Sequence, residues 1–192
     1  MKKTNLAAMK PHLIGIAGRA EHGKDTIGAI LSEHGYERKA FADKVRELAL
    51  AIDPVVELNY LPATWNGYRL SEVFRDHGWD EAKKHHDVRR LLQSIGDGGR
   101  QVLGQWVWVD ALFANVDTWH YHYVITDVRY PNEVTAVHSN GGVVWYVDRP
   151  GYDNGLQPHA SEELDPTLCD AVIVNDGSVE DLRRKVEAMI RD

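Results

Sequence analysis

Short apolar runs separated by amphipathic stretches set the pattern of this chain. The first, Leu13-Ile14-Gly15-Ile16-Ala17, is continuous rather than alternating and stops at a glycine. That predicts a strand buried on both faces of a parallel sheet. From Asp25 to His34, Ile27, Ile30 and Leu31 recur at helical spacing, and Gly35 supplies a stop. A short strand is expected over 38–42. A helix should follow, with Val45, Leu48, Ala49 and Ile52 on one face, Asp43 as its cap and Asp53-Pro54 as its end. Residues 54–86 show little period beyond a helix near 70–77. Val88, Leu91, Leu92 and Ile95 mark another helix, which the run Gly96-Asp97-Gly98-Gly99 is expected to break. A further helix is expected over 100–115, although Trp106-Val107-Trp108-Val109 alone also reads as strand.

The last third alternates more plainly. Strands are expected over 123–126, 142–147 and 171–174, with a helix over 132–139 and a Pro-, Gly- and polar-rich excursion over 149–167. Ser178 and Asp181 form a capping-box pattern ahead of Leu182, Val186, Met189 and Ile190. Five strands alternating with helices predict an α/β fold whose sheet is mostly parallel. Ligands of such sheets bind beyond the carboxyl ends of the strands, and the residues that carry chemistry fall there.

Composition narrows the partners. The 192 residues fit one domain, or one domain with a mobile flap. A formal charge of −7 argues against broad duplex DNA binding, which needs a basic face, yet leaves room for a small anion in a locally basic cleft. The single Cys169 excludes an internal disulfide framework and a multi-Cys zinc site. No apolar run approaches the roughly 20 residues of a membrane span, and the basic start at 1–10 has too short an apolar stretch for a signal peptide. A soluble cytoplasmic protein is expected. The ten histidines show no H-E-x-x-H or Cys/His spacing, and His85-His86, beside Lys83-Lys84, read as a solvated surface. There is no G-x-S-x-G, and without N-K-x-D a GTPase is disfavoured.

The strongest signal is Gly18-Arg19-Ala20-Glu21-His22-Gly23-Lys24-Asp25-Thr26, which follows the first strand and opens the first helix. It matches G-x-x-x-x-G-K, with Asp25 where Ser or Thr is usual and Thr26 one place later. The glycines let backbone N–H groups curl around phosphate oxygens, the helix start adds its dipole, and Lys24 neutralises the β- and γ-phosphates. Asp25 beside a polyphosphate needs a cation between them. It either touches Mg²⁺, directly or through water, while Thr26 bonds a phosphate oxygen, or it only caps the helix. A second carboxylate, Asp127, ends the apolar strand Tyr123-Val124-Ile125-Thr126, where it is placed to hold a Mg²⁺ water or orient an acceptor. Arg129 offers a planar fork for phosphate, and Glu133 is placed to brace it.

These stretches resemble the phage-type deoxynucleoside monophosphate kinases, a P-loop family. The matching pieces are Gly23-Lys24-Asp25-Thr26, Phe41-Ala42-Asp43-Lys44, Leu92-Gln93-Ser94-Ile95-Gly96, Ile125 through Glu133, His159-Ala160-Ser161-Glu162 and Val174-Asn175-Asp176-Gly177-Ser178. In order, they span nearly the whole chain. The resemblance implies a P-loop NTPase three-layer α/β/α sandwich of the nucleoside monophosphate kinase kind. It also implies ATP and Mg²⁺ as cofactors, with Lys24, Asp127 and Arg129 at the chemistry and Asp25, Thr26 and Asp127 at the metal. Gly18, Gly23, Lys24, Asp25, Thr26, Asn175 and Gly177 would hold the donor nucleotide. Asp43, Lys44, Gln93, Arg100, Arg129 and Arg149 would hold the acceptor.

The whole chain would be a single kinase domain, with an acceptor-binding helical region over about 43–115 and a lid-like loop over about 149–167. Arg149 could reach the transferring phosphate, with a salt bridge to Asp148 or Asp153 as the plainer alternative; His159 could bond Glu162 or cap a turn. Trp106 and Trp108 could supply a base platform, against ordinary core packing. Small-molecule nucleotides are the expected partners, without nucleic acid or membrane; a homodimer is left open. The location would be the host cytoplasm if the chain is phage-encoded. Two other readings stay open. One is a P-loop kinase acting on phosphomevalonate, dephospho-coenzyme A or a sugar acid; the other is a regulatory protein that holds ATP without turnover.

Overall fold

A computed structural model describes residues 10–58, 67–114, 116–117, 120–152 and 164–191. In chain order the elements are β1 (Leu13–Gly18), α1 (Lys24–Glu33), β2 (Tyr36–Lys39), α2 (Phe41–Ile52), β3 (Val55–Val56), β4 (Tyr68–Arg69) and α3 (Leu70–Ala82). There follow α4 (His86–Leu103), α5 (Val107–Phe113), β5 (His122–Val128), α6 (Pro131–Ser139), β6 (Val143–Asp148), β7 (Ala171–Val174) and α7 (Val179–Ile190). The described residues form two compact units, one from Met1–Ala40 with Asn115–Asp192 and one from Phe41–Ala114.

The first unit is built on β1. Its apolar run is buried because it lies at the centre of a five-stranded sheet of order β2-β5-β1-β6-β7. All four neighbouring pairs are parallel. Side chains alternate across a strand, so Ile14 and Ile16 meet Ile27, Leu31, Leu182 and Val186 of α1 and α7 on one face. Gly15 turns to the other face, where an added Cβ would lie 3.3 Å from Val137 of α6. Helices thus cover both faces in a three-layer α/β/α arrangement, the P-loop α/β class expected from the sequence. β2 begins at Tyr36 rather than 38 and stops before Phe41. It is an edge strand whose Glu37 and Arg38 are exposed, so its polar sequence conceals it.

The second unit is mostly helical. Phe41, Val45 and Ala49 form the buried stripe of α2, while Leu48 and Ile52 are exposed; Asp43 lies inside the first turn rather than at the cap. A small core of Ala49, Val56, Leu58, Leu70, Val73, Ala82 and Val88 joins α2, β3, α3 and α4. Helix α3 runs past 77 to Ala82 with a kink at Gly78, whose φ is 69°. The glycine run does not break α4, which continues to Leu103. A Cβ on Gly99 would come within 2.5 Å of the Trp108 ring, so glycine there admits a tryptophan rather than ending a helix. The helix expected over 100–115 is in fact the end of α4, a turn at Gly104 and the separate α5. Residue 115 lies outside the described residues. His85 is buried at 9% exposure ahead of α4, whereas His86 is exposed. Among the described residues no helix is long and apolar enough to cross a membrane.

Candidate active site

The turn between β1 and α1 owes its shape to its glycines. Gly18 has φ 136°, and a Cβ there would sit 2.5 Å from the Val147 carbonyl oxygen. Gly23, at the start of α1, has φ 109° and leaves room for the Asn175 amide, 2.8 Å from where a Cβ would stand. No L side chain meets both demands without strain. Between them Glu21 also takes a positive φ of 63°, uncommon for a residue with a Cβ. Lys24, the first residue of α1, reaches back so that Nζ donates to the Gly18 oxygen at 2.7 Å and the Arg19 oxygen at 2.6 Å. The ammonium therefore lies across the turn whose backbone the glycines leave open. Thr26 is half-buried in the first turn of α1. The Asp25 side chain is 91% exposed and sits 3.9 Å from Arg38, an exposed pair that contributes little to stability.

Parallel pairing gathers the other candidates at the same edge of the sheet. Ala17 of β1 pairs with Val128, next to Asp127, and Gly18 pairs with Val147, just ahead of Asp148 and Arg149. Asp148 in turn pairs with Val174, which precedes Asn175. Asp127 is half-buried and Arg129 exposed. Glu133, 1% exposed, accepts from the backbone N–H groups of Arg129 at 2.7 Å and Tyr130 at 3.1 Å. It thus braces the turn that carries Arg129 by its backbone. Thr126 is buried, and its hydroxyl oxygen lacks a hydrogen-bond partner among the described residues. Beside it, a Cβ on Gly28 would come 2.6 Å from the Thr126 methyl, so α1 packs tightly onto β5 behind the turn.

Sequence reasoning missed His22. It is 5% exposed, its Nδ1 accepts the Arg149 N–H at 3.0 Å, and its carbonyl accepts from the Asn175 side-chain amide at 2.9 Å. Burial lowers its pKa below the ordinary 6.5, against the pull of Asp148 at 3.8 Å. Tyr152 donates to the Glu21 carboxylate, and the Arg149 guanidinium lies 4.4 Å from the centre of the Tyr152 ring. No local pattern signals the ties of Glu21 and His22, because their partners lie more than 120 residues away along the chain. Asn175 therefore spends its amide on the turn itself. Gly177 has a different reason to be glycine: a Cβ would lie 2.7 Å from the Asp181 carboxylate that caps α7. The excursion at 153–163, with His159 and the Ala160-Ser161-Glu162 stretch, lies outside the described residues.

The remaining candidates belong to the helical unit. Asp43 accepts from Arg46 at 2.8 Å and Lys44 donates to Glu47 at 2.7 Å, both along the first turns of α2. Gln93 and Arg100 are seven residues apart on α4, which puts them on one stripe of the helix. Arg100 lies 4.0 Å from Asp97. Trp108 is buried with its indole N–H on the Gly96 carbonyl at 2.9 Å, so it is core; Trp106 is 46% exposed.

The sequence profile described as deoxynucleotide monophosphate kinase matches residues 72–186. The chain belongs to that family. The match begins after the phosphate loop, so the loop and the family rest on different stretches of sequence. Among curated relatives, the deoxynucleotide monophosphate kinase of Escherichia phage RB69 is 27% identical over 72% of this chain and 60% of its own length. That of Enterobacteria phage T4 is 32% identical over 54% of this chain and 45% of its own. The chain thus spans about half the length of the curated phage relatives it matches. The solved structure of TT1252 from Thermus thermophilus superposes with a TM-score of 0.50 at 20% identity, covering 93% of this chain and 95% of that one, and shares the fold.

Proposed function

We propose that this protein transfers the γ-phosphoryl group of ATP to a deoxynucleoside monophosphate, giving the diphosphate and ADP. The observation that carries the reading is Lys24 lying across a turn held open by Gly18 and Gly23, at the sheet edge of a chain that belongs to the family. The turn suits a polyphosphate, because its positive-φ glycines lead into the start of α1, where the helix dipole and its first N–H groups favour an anion.

Asp25, Thr26 and Asp127 would hold Mg²⁺. Two carboxylates and a hydroxyl suit an ion which keeps several waters and takes one or two carboxylates together with phosphate oxygens. Bound there, the ion would supply charge neutralisation for the phosphoryl group in transit.

The chain's own residues bind and orient. Lys24 neutralises the donor tail, and Arg129 and Arg149 offer forks for the group in transit. Lys44 and Arg100 bind the acceptor phosphate, Gln93 presents an amide to its base, and Asp43 borders them. Because the acceptor is already a phosphate oxygen, positioning and charge do most of the work, with little proton transfer. Asn175 and Gly177 frame the donor, and the excursion over 149–167 excludes water.

A coupled ADP-release assay over the deoxynucleoside monophosphates and a panel of small phosphorylated and hydroxy acids tests this. Turnover with at least one of the monophosphates is expected. ADP formed only with a non-nucleotide acceptor, or with none, overturns the reading. Asp25→Ala should raise the Mg²⁺ concentration needed for half-maximal rate; Gly23 and not Asp25 caps α1, so an unchanged requirement would leave Asp25 an exposed first-turn carboxylate.

A further inference from the structure

The middle of the phosphate loop, rather than its glycines, carries a feature that the kinase reading does not use. Glu21 is held at a positive φ, and His22, beside it, is buried although the loop around it is largely open. Both are tied to the residues that follow β6 and β7. The Arg149 N–H donates to His22 Nδ1, the Asn175 amide holds the His22 carbonyl, and the Asn175 N–H closes onto the Asp148 carbonyl at 2.6 Å. Tyr152 reaches back to Glu21, and its own N–H turns onto the Arg149 carbonyl at 3.2 Å. The result is a closed ring of contacts: Glu21, Tyr152, Arg149, His22.

We propose that His22 is a positioning residue that presets the phosphate loop for the donor nucleotide and fixes the backbone from which Arg149 projects. This rests on the kinase reading above. Backbone N–H groups bind phosphate well only if they already point inward, and residues 21 and 22 fix the middle of that turn, where the His22 N–H itself closes onto the Arg19 carbonyl at 3.4 Å. A non-glycine residue at positive φ persists only where its surroundings over-determine it; the Tyr152 and His22 contacts do that here.

The imidazole must be neutral to accept at Nδ1, and burial favours that form. The charged and titratable groups facing it are Asp148 at the end of β6, Arg19 and Lys24 from the loop and α1, and Tyr152 edge-on at 6.2 Å between ring centres. A proton on Nδ1 ends the bond to Arg149 and turns that nitrogen towards Asp148. The unfolded chain takes up this proton first as pH falls. The native fold therefore keeps the His22 contribution in full above 6.5 and loses it between 6.5 and the lowered value.

The test compares His22→Asn, whose side-chain oxygen stands where Nδ1 does, with His22→Leu, which fills space without accepting. In His22→Leu the KM for ATP should rise about tenfold, the scale of one unmet part-buried amide, and kcat should fall because Arg149 loses its fixed backbone, with the KM for the monophosphate within about twofold. His22→Asn should recover most of that loss. The wild-type KM for ATP should rise as pH falls through the lowered value of native His22, below 6.5, a limb absent from His22→Asn. Hydrogen exchange at the Arg149 amide, read without any ligand, should be slow in the wild type and His22→Asn and fast in His22→Leu. Equal exchange in all three proteins overturns the clasp whether or not the protein is a kinase. A similar rise in both KM values, or failure of Asn to rescue, reduces His22 to a structural residue. Wild type that exchanges as expected but forms no ADP refutes the kinase reading, and with it the donor role.

Discussion

In the sheet unit, Gly18 and Gly23 are glycines because of the backbone: φ values of 136° and 109° and neighbours within 2.8 Å admit nothing larger. In the helical unit, Gly96, Gly98 and Gly99 sit inside an unbroken α4. There the Gly99 requirement comes from a side chain on another helix, the Trp108 ring, 2.5 Å from where a Cβ would stand. The same residue type thus answers a local demand in one unit and a tertiary demand in the other. The first is visible in a motif because strand, turn, lysine and helix follow one another in sequence. The second is visible only once α5 is packed against α4.

The largest expected effect tests the sheet side by keeping its glycines and removing its charge. Lys24→Met should lower kcat by at least about a hundredfold, as the loss of one preorganised charge contact does, with a melting temperature close to wild type. A stopped assay on folded protein decides it, and a loss under about tenfold would detach the loop from the chemistry. Next in size is Gly18→Ala, which asks a Cβ to occupy space 2.5 Å from the Val147 oxygen at a φ that side chains rarely adopt. It should destabilise by about 1–3 kcal/mol and weaken ATP binding measured by calorimetry. An alanine variant with wild-type stability and affinity would mean that β1 and β6 part at no cost.

How far the sequence carries the reader follows the same divide. Leu13–Ala17 and Tyr123–Asp127 are legible because a central parallel strand is apolar along its length and the candidate residues stand near or just past its carboxyl end. The capping box at Ser178 and Asp181 is legible because both partners lie within one turn, and the structure shows each accepting from or donating to the other. The sequence pattern places β2 two residues late because an edge strand with exposed Glu37 and Arg38 has no apolar run. His22 escapes notice for a stronger reason: its partner Arg149 is 127 positions away, and nothing near residue 22 marks it. The split of α4 from α5, and the burial of His85, likewise depend on packing that no window of sequence contains.

On the helical side the comparison is sharpened by a pair of adjacent substitutions with opposite signs. Gly99→Ala should destabilise by about 1–3 kcal/mol, because the indole is rigid and must shift as a whole. For a chain of this size that lowers the melting temperature by about 2–4 °C per kcal/mol. Gly98, one residue earlier, has nothing within 4 Å of a Cβ and no positive φ. It bears only the entropic cost of glycine inside a helix, about 0.5–1 kcal/mol relative to alanine. Gly98→Ala should therefore raise the melting temperature by about 2 °C while leaving turnover unchanged. Thermal unfolding of the two variants side by side separates a helix that tolerates its glycines from one that was shaped by them. If both lower stability, α4 needs a weak segment at 96–99, and the break expected from the sequence would describe its mechanics rather than its length. If only Gly99→Ala does, the run is a groove for Trp108, and its middle glycine is carried without a structural demand.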